Sequence, residues 1–316
     1  MHIPDGMLST PTWSLTWAGA AGFIGYAVRE ARKRLSDSRV VLMAVLAAAI
    51  FALQMLNFPV AGGTSGHFAG GAAAAIILGP WPAVLVMSAV LIVQALVFAD
   101  GGITALGANI MNLAVIGPFI GWWVYSLATR VRDTRVGRAV GSFAGAWLAA
   151  VASAMSAALM VWVSGRAPFG LVMGSMAGWH AVIGVGEGLI TAGLVAFVFR
   201  TKPELFVDGK KAKAGTAAAA LGALAVIAAG VSFLASSSPD GLEHVAESLG
   251  FLPESGPVFT ASPIPDYVVP GLSNETLAGI LAGLVGLVLT GLLVAGLTSA
   301  LRARKMDSGT EDGARA

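Results

Sequence analysis

Nine apolar runs, separated by short charged or Pro/Gly-rich breaks, organise the chain: 12–28, 40–57, 67–79, 82–99, 104–128, 140–164, 169–199, 215–235 and 276–301. A helix needs roughly 20 largely apolar residues to cross a bilayer, so the pattern predicts an all-α membrane protein, a polytopic helical bundle of about nine spans. The third run departs from the rest. It is short, glycine-rich and closed by Gly79-Pro80-Trp81-Pro82, which reads as a broken or partly re-entrant helix lining a cavity. A composition change at 200–215, carrying Arg200, Lys202, Pro203, Asp208, Gly209, Lys210, Lys211 and Lys213, reads as a cytoplasmic linker. It divides the chain into a seven-span module at 1–200, a linker at 201–214 and a two-span module at 215–316, whose external loop contains Pro239-Asp240-Gly241-Leu242-Glu243.

Charge orients the bundle. Lys and Arg cluster at 29–39, 130–138, 200–213 and 302–315, and these stretches hold all but Arg166. With the N-terminus outside and the C-terminus in the cytoplasm, all four clusters face the cytoplasm, as the positive-inside rule requires. No basic residue precedes the first run and no small-residue cleavage site follows it, so Met1 is expected to remain on the mature chain. A composition 56% hydrophobic and only 11% charged excludes a soluble domain. The net charge of +2 is accounted for by residues flanking spans, so nucleic acid is not an expected partner. Zero cysteines exclude thiolate ligation, which leaves nitrogen and oxygen donors for any transition metal.

The opening Met1-His2-Ile3-Pro4-Asp5-Gly6 is a chelator when it lies outside the membrane. The α-amine, the His2 amide nitrogen and the His2 imidazole can close five- and six-membered rings around one cation that displaces their protons. Bulky His2 protects Met1 from removal, and Pro4 fixes the backbone just beyond. Three nitrogens leave one vacancy in a planar site, and His67, in Gly62-Gly63-Thr64-Ser65-Gly66-His67, is the nearest external histidine in sequence. Planar nitrogen coordination favours Ni(II) or Cu(II) over Co(II). The plainer reading makes His2 a disordered terminal residue and His67 a helix cap.

His180 and Glu187 lie seven residues apart on one helix face, and ionisable groups inside a span mark pathways or internal pairs. Their spacing is not the His-Glu-x-x-His of a zinc hydrolase, and no nucleophile-base set appears elsewhere, so no catalytic residue and no enzymatic activity are expected. His244, between Glu243 and Glu247, reads as part of a solvated surface helix and stays outside the primary site. The small-residue pairs Ala44 with Ala48 and Gly279 with Gly283 have the spacing of close helix contacts, either internal or with a partner subunit.

Taken together, Met1-His2-Ile3-Pro4-Asp5-Gly6, Gly62-Gly63-Thr64-Ser65-Gly66-His67, Asp100-Gly101-Gly102-Ile103-Thr104-Ala105-Leu106-Gly107-Ala108-Asn109, Asn112 and Trp179-His180 through Glu187 resemble the CbiM/NikM family over residues 1 to about 200. These are substrate-binding membrane components of energy-coupling factor (ECF) cobalt and nickel transporters. The tail around Ser238-Pro239-Asp240-Gly241-Leu242-Glu243 resembles the CbiN/NikN accessory component, fused here. The resemblance implies a seven-helix component with an external N-terminus, whose inserted N-terminal segment ligates the metal through Met1, His2 and His67. It also implies Asp100, Asn109 and Asn112 as supports of the binding loops, and Thr64 and Ser65, beside His67, are further candidates to surround the ion or line its path. Implied partners are a transmembrane coupling protein and cytoplasmic ATPase subunits, since this chain has no Gly-x-x-x-x-Gly-Lys-Ser/Thr phosphate loop.

The expectation is a metal-capturing permease component in a prokaryotic cell membrane, with Ni(II) or Co(II) as cargo and no resident cofactor. Proton competition at the amine and imidazoles predicts that binding fails in mild acid. The competing readings are a proton-coupled secondary metal transporter with His180 and Glu187 as relay, an intramembrane enzyme using the same pair, and a vitamin-binding component that would have no use for His2.

Overall fold

A computed structural model describes residues 1–33, 35–55, 57–201, 236, 238–253 and 256–313. The expected linker at 201–214 and the eighth apolar run at 215–235 lie outside these residues, apart from Thr201. Helix α1 (Thr10–Arg32) starts after Ser9 with a proline in its first turn, where the missing N–H costs nothing. Helix α2 (Asp37–Gln54) is capped by Ser36, whose hydroxyl accepts from Arg39 N. Next come α4 (Pro80–Val97), α5 (Leu106–Val131), α6 (Arg135–Val163) and α7 (Phe169–Thr201), then the short α8 (Gly241–Leu249) and the long α9 (Glu275–Gly313).

Among the described residues six helices are long and apolar enough to cross a membrane: α2, α4, α5, α6, α7 and α9. Helix α1 is long enough, but Thr10, Thr12, Ser14 and Thr16 at one end and Arg29, Glu30 and Arg32 at the other dilute it. Their outward faces carry large apolar side chains such as Leu189, Phe197 and Leu292, the surface that lipid requires.

The third apolar run, 67–79, follows an antiparallel hairpin of β1 (Asn57–Val60) and β2 (Thr64–His67), which takes only His67 from it; the strands pair from Asn57↔His67 to Val60↔Thr64, so the molecule is not wholly helical. Gly62 and Gly63 at its tip have φ of 90° and 81°, and a Cβ on Gly62 would lie 2.4 Å from the Trp179 ring. The remainder is α3 (Gly71–Leu78), which spans only about 12 Å at a helical rise. Gly79, with φ 90°, and Pro80 then break it from α4.

The bundle closes on small residues. A Cβ on Gly121 of α5 would meet Ala72 of α3 at 2.4 Å, and one on Gly145 of α6 would meet the Gly121 carbonyl at 2.7 Å, so these backbones touch. Helix α9 lies along α2, with Gly291 against Ala44 and Ala48 and Gly283 against Met55. Ala44, Ala48 and Gly283 therefore serve internal packing, whereas a Cβ on Gly279 would meet nothing within 4 Å. Within α5, residues 110–116 form a π-helical stretch in which Gly117 N reaches back five residues to Asn112 O. Pro118, lacking an N–H, follows directly.

Candidate metal centre

The chain's first eight residues are packed into the protein. Ile3 and Met7 are fully buried and Asp5 nearly so. Asn109 fixes the backbone of Ile3 from both sides: its Oδ1 accepts from Ile3 N at 2.8 Å and its Nδ2 donates to Ile3 O at 3.1 Å. Gly102 N also donates to Ile3 O at 2.9 Å. Asp5 accepts from Thr104 N and Oγ1, at 2.8 and 2.6 Å, and from Val258 N at 2.8 Å. Arg166, the one basic residue outside the four clusters, donates to the carbonyls of Gly6 and Met7 at 2.7 and 3.2 Å. Close approach requires glycine at 102, because a Cβ there would lie 2.2 Å from Asp5 N.

This anchoring places Met1, His2 and His67 together. The Met1 nitrogen is in direct contact with His67 Nε2 and with the Asp240 carboxylate. The His2 and His67 rings stack with centroids 5.4 Å apart and planes 16° from parallel. His2 Nδ1 lies 3.1 Å from Asp100 Oδ1. Gln94 stands beside the His2 ring and the Phe68 backbone beside His67, yet His2 Nε2 and His67 Nδ1 are buried without a well-formed hydrogen bond among the described residues. Such a surplus of buried nitrogen is expensive unless something uses it.

Burial holds the His2 imidazole below its ordinary value, against the opposing charges of Asp100 and Asp240. Burial, reinforced by the N-terminal ammonium and His2, drives His67 well below. Both rings are therefore neutral at neutral pH, the form that ligates a metal. Burial alone would raise Asp240, but the ammonium and His67, together with its hydrogen bonds, outweigh that and hold it well below the usual carboxylate range.

Among the described residues no three His, Asp or Glu side chains gather as a metal cage. A transition-metal site built here has to draw on the chain terminus. The amine and His67 Nε2 sit side by side, as adjacent corners of a planar site must. Closing the six-membered ring of the chelate needs His2 Nδ1, which is turned to Asp100. A half-turn about Cβ–Cγ, a soft torsion, frees Nδ1 and brings the Nε2 edge of the ring toward Asp100.

The other residues singled out in the sequence divide by role. Thr64 and Ser65 hold the C-terminal module: Thr64 Oγ1 donates to Pro239 O at 3.1 Å, Ser65 N to Pro239 O at 2.9 Å, and Ser65 Oγ to Ser238 O at 2.8 Å. Glu187 accepts from Ala69 N and Gly70 N, at 2.8 and 3.1 Å, and so clamps the loop just after His67. His180 Nδ1 bonds Met176 O at 2.9 Å. His180 and Glu187 line one cavity with Met1, His67 and Asp240 but are tied to different partners. Asn112 contacts Met160 and Ser153 rather than the N-terminal segment.

Two residues that the sequence reading did not assign to the site reach it. Asp240 closes the capping box of α8 with Glu243 while its other oxygen meets Met1. Tyr267 donates to Asp100 Oδ2 at 2.6 Å. The Pro-Asp-Gly start of a capped helix was a legible signal for a structured loop, but nothing in it pointed to Met1.

Residues 2–205 match the family described as the cobalt uptake substrate-specific transmembrane region, and residues 215–303 match the PDGLE domain. A chain of Archaeoglobus fulgidus, provisionally named a fused nickel transport protein NikMN, is 38% identical over 297 residues, covering 92% of this chain and 95% of its own. The fused nickel transport protein NikMN of Rhodobacter capsulatus is 34% identical over 350 residues, covering 96% and 98%. A crystal structure described as a transition metal transporter is 31% identical and superposes with a TM-score of 0.57, covering 63% of this chain and 93% of that one.

Proposed function

The chain belongs to the CbiM family of cobalt-uptake transmembrane proteins, with a PDGLE domain behind it, and on that premise we propose that it is the metal-capturing component of an ATP-driven nickel or cobalt importer. The family is one of transport proteins rather than enzymes, and the protein is a multi-pass membrane protein. In this reading the seven-span module at 1–200, the linker at 201–214 and the two-span module at 215–316 form a nine-span chain with its N-terminus outside. A metal ion from outside is taken by the Met1 amine, the His2 amide and imidazole, and His67. It is stripped of water there and released inward when an ECF-type coupling protein and its cytoplasmic ATPase subunits reorient the bundle.

The observation that carries the reading is the direct contact of the Met1 nitrogen with His67 Nε2, beneath a stacked His2 ring. Metal binding needs deprotonated nitrogen donors, and the neutral imidazoles supply two of them without a proton to remove. Ni(II) suits the planar arrangement better than Co(II) does. Glu187 is occupied by the backbone of residues 69 and 70, which fits a loop clamp better than a proton relay.

The test is calorimetric titration of Ni(II) and Co(II) into the purified protein and into a variant with one alanine inserted between Met1 and His2. The insertion keeps every side chain but rebuilds the chelate rings. Nickel binding is expected to be lost, and unchanged binding would discard the N-terminal site.

A further inference from the structure

The described residues contain three non-glycine positions with positive φ: Ala99 at 55°, Asp266 at 53° and Tyr267 at 60°. All three lie at one junction, where the external loop of the C-terminal module meets the end of α4. Strained backbone of this kind persists only where its surroundings over-determine it. Here Ile264 N donates to Val97 O at 3.0 Å and Asp266 N to Phe98 O at 2.8 Å, satisfying carbonyls that a helix end leaves open. The Tyr267 ring stacks on Phe98 with centroids 4.7 Å apart and planes 17° from parallel. So held, its hydroxyl meets Asp100 Oδ2 at 2.6 Å, while Asp100 Oδ1 faces His2 Nδ1 at 3.1 Å.

We propose that Tyr267, supplied by the C-terminal module, is a positioning residue for the metal site: its hydroxyl fixes the Asp100 carboxylate, and Asp100 fixes the His2 imidazole. The inference rests on the reading of Met1, His2 and His67 as the capture site. In the orientation observed Asp100 holds Nδ1, the nitrogen the chelate needs; a half-turn about Cβ–Cγ presents Nδ1 to the cation and the Nε2 edge to Asp100, and the hydrogen bond made there holds the turned ring. Asp100 can hold it only if its own rotation is arrested. Among the described residues Oδ1 meets His2 and Oδ2 meets Tyr267, so the bond from Tyr267 does the arresting. Although Tyr267 keeps some exposure, its hydroxyl is turned in to Asp100, and burial, with the Asp100 charge, holds it well above the usual phenol value, so it remains a donor. The module fused behind the linker thus shapes the capture site without contributing a ligand through this residue.

The full chain is titrated with Ni(II) by calorimetry, with the d–d absorption of the bound ion recorded, for the native protein, Tyr267→Phe, Asp100→Ala, the double variant and His2→Ala. Tyr267→Phe keeps the stacked ring and removes only the hydroxyl. It is expected to weaken binding about tenfold, the lower end for partners that orient a ligating histidine, and to alter the absorption band. In the Asp100→Ala background it is expected to add nothing, because the two residues act in series. Native affinity and spectrum in Tyr267→Phe, or a full further loss in the double variant, would overturn the relay. Native binding in His2→Ala would instead remove the capture site itself, and the relay with it.

Discussion

At the scale of single residues, protonation decides whether the site can work. Because burial lowers both imidazoles, the unfolded chain takes up protons near the ordinary histidine value of about 6.5 that the folded chain refuses until lower pH. Stability therefore falls on acidification through the window below that value, since the unfolded state binds more protons there. A metal that needs the same neutral rings is expected to stay bound down to about pH 6.5 and to leave below it. Nickel retention after dialysis across pH 7.5 to 4.5 checks this, and retention still complete at pH 4.5 would contradict proton competition at these donors. His2 and His67 were visible in the sequence because chelation by residues 1 and 2 is local chemistry. Asp240 was not, because its partner Met1 is 239 residues away.

At the scale of elements, glycine sets where segments touch. The N-terminal segment lies on the loop after α4 because Gly102 offers no side chain to Asp5. Gly102→Ala is expected to push that segment outward and weaken nickel binding while leaving the helix content unchanged. Gly22→Ala, on α1 where a Cβ would meet nothing within 4 Å, is the control and is expected to bind as the native chain does. Calorimetry alongside circular dichroism separates the two, and equal affinities would show that the approach at Gly102 does not matter. The hairpin carrying His67 escaped the sequence reading for a physical reason. Its strands are four residues each, too short to show alternation against the apolar runs that flank them.

At the scale of the whole molecule, the part of the C-terminal module that precedes α9 lies over the proposed capture site. It touches Met1 through Asp240, Asp5 through Val258, and Asp100 through Tyr267. The N-terminal segment keeps its bonds to Asn109, Gly102, Thr104 and Arg166 without that module. A chain ended after residue 205 is accordingly expected to fold in the membrane and to bind nickel more weakly than the full chain. Titration of both proteins in the same detergent measures the difference. Full affinity in the shortened chain would mean that all three contacts are idle in binding.

The sequence by itself determined a helical membrane protein, because runs of apolar residues long enough to span a bilayer have no other stable arrangement. It also narrowed the donors for any transition metal to nitrogen and oxygen, because the chain has no cysteine. Tertiary structure alone decided that Thr64 and Ser65 dock a loop, that Glu187 clamps the backbone after His67, that Asp240 reaches Met1, and that Tyr267 reaches Asp100. Periodicity records which way a residue faces on its own helix; it carries no record of which distant residue it meets, and these pairings span 117 to 239 positions.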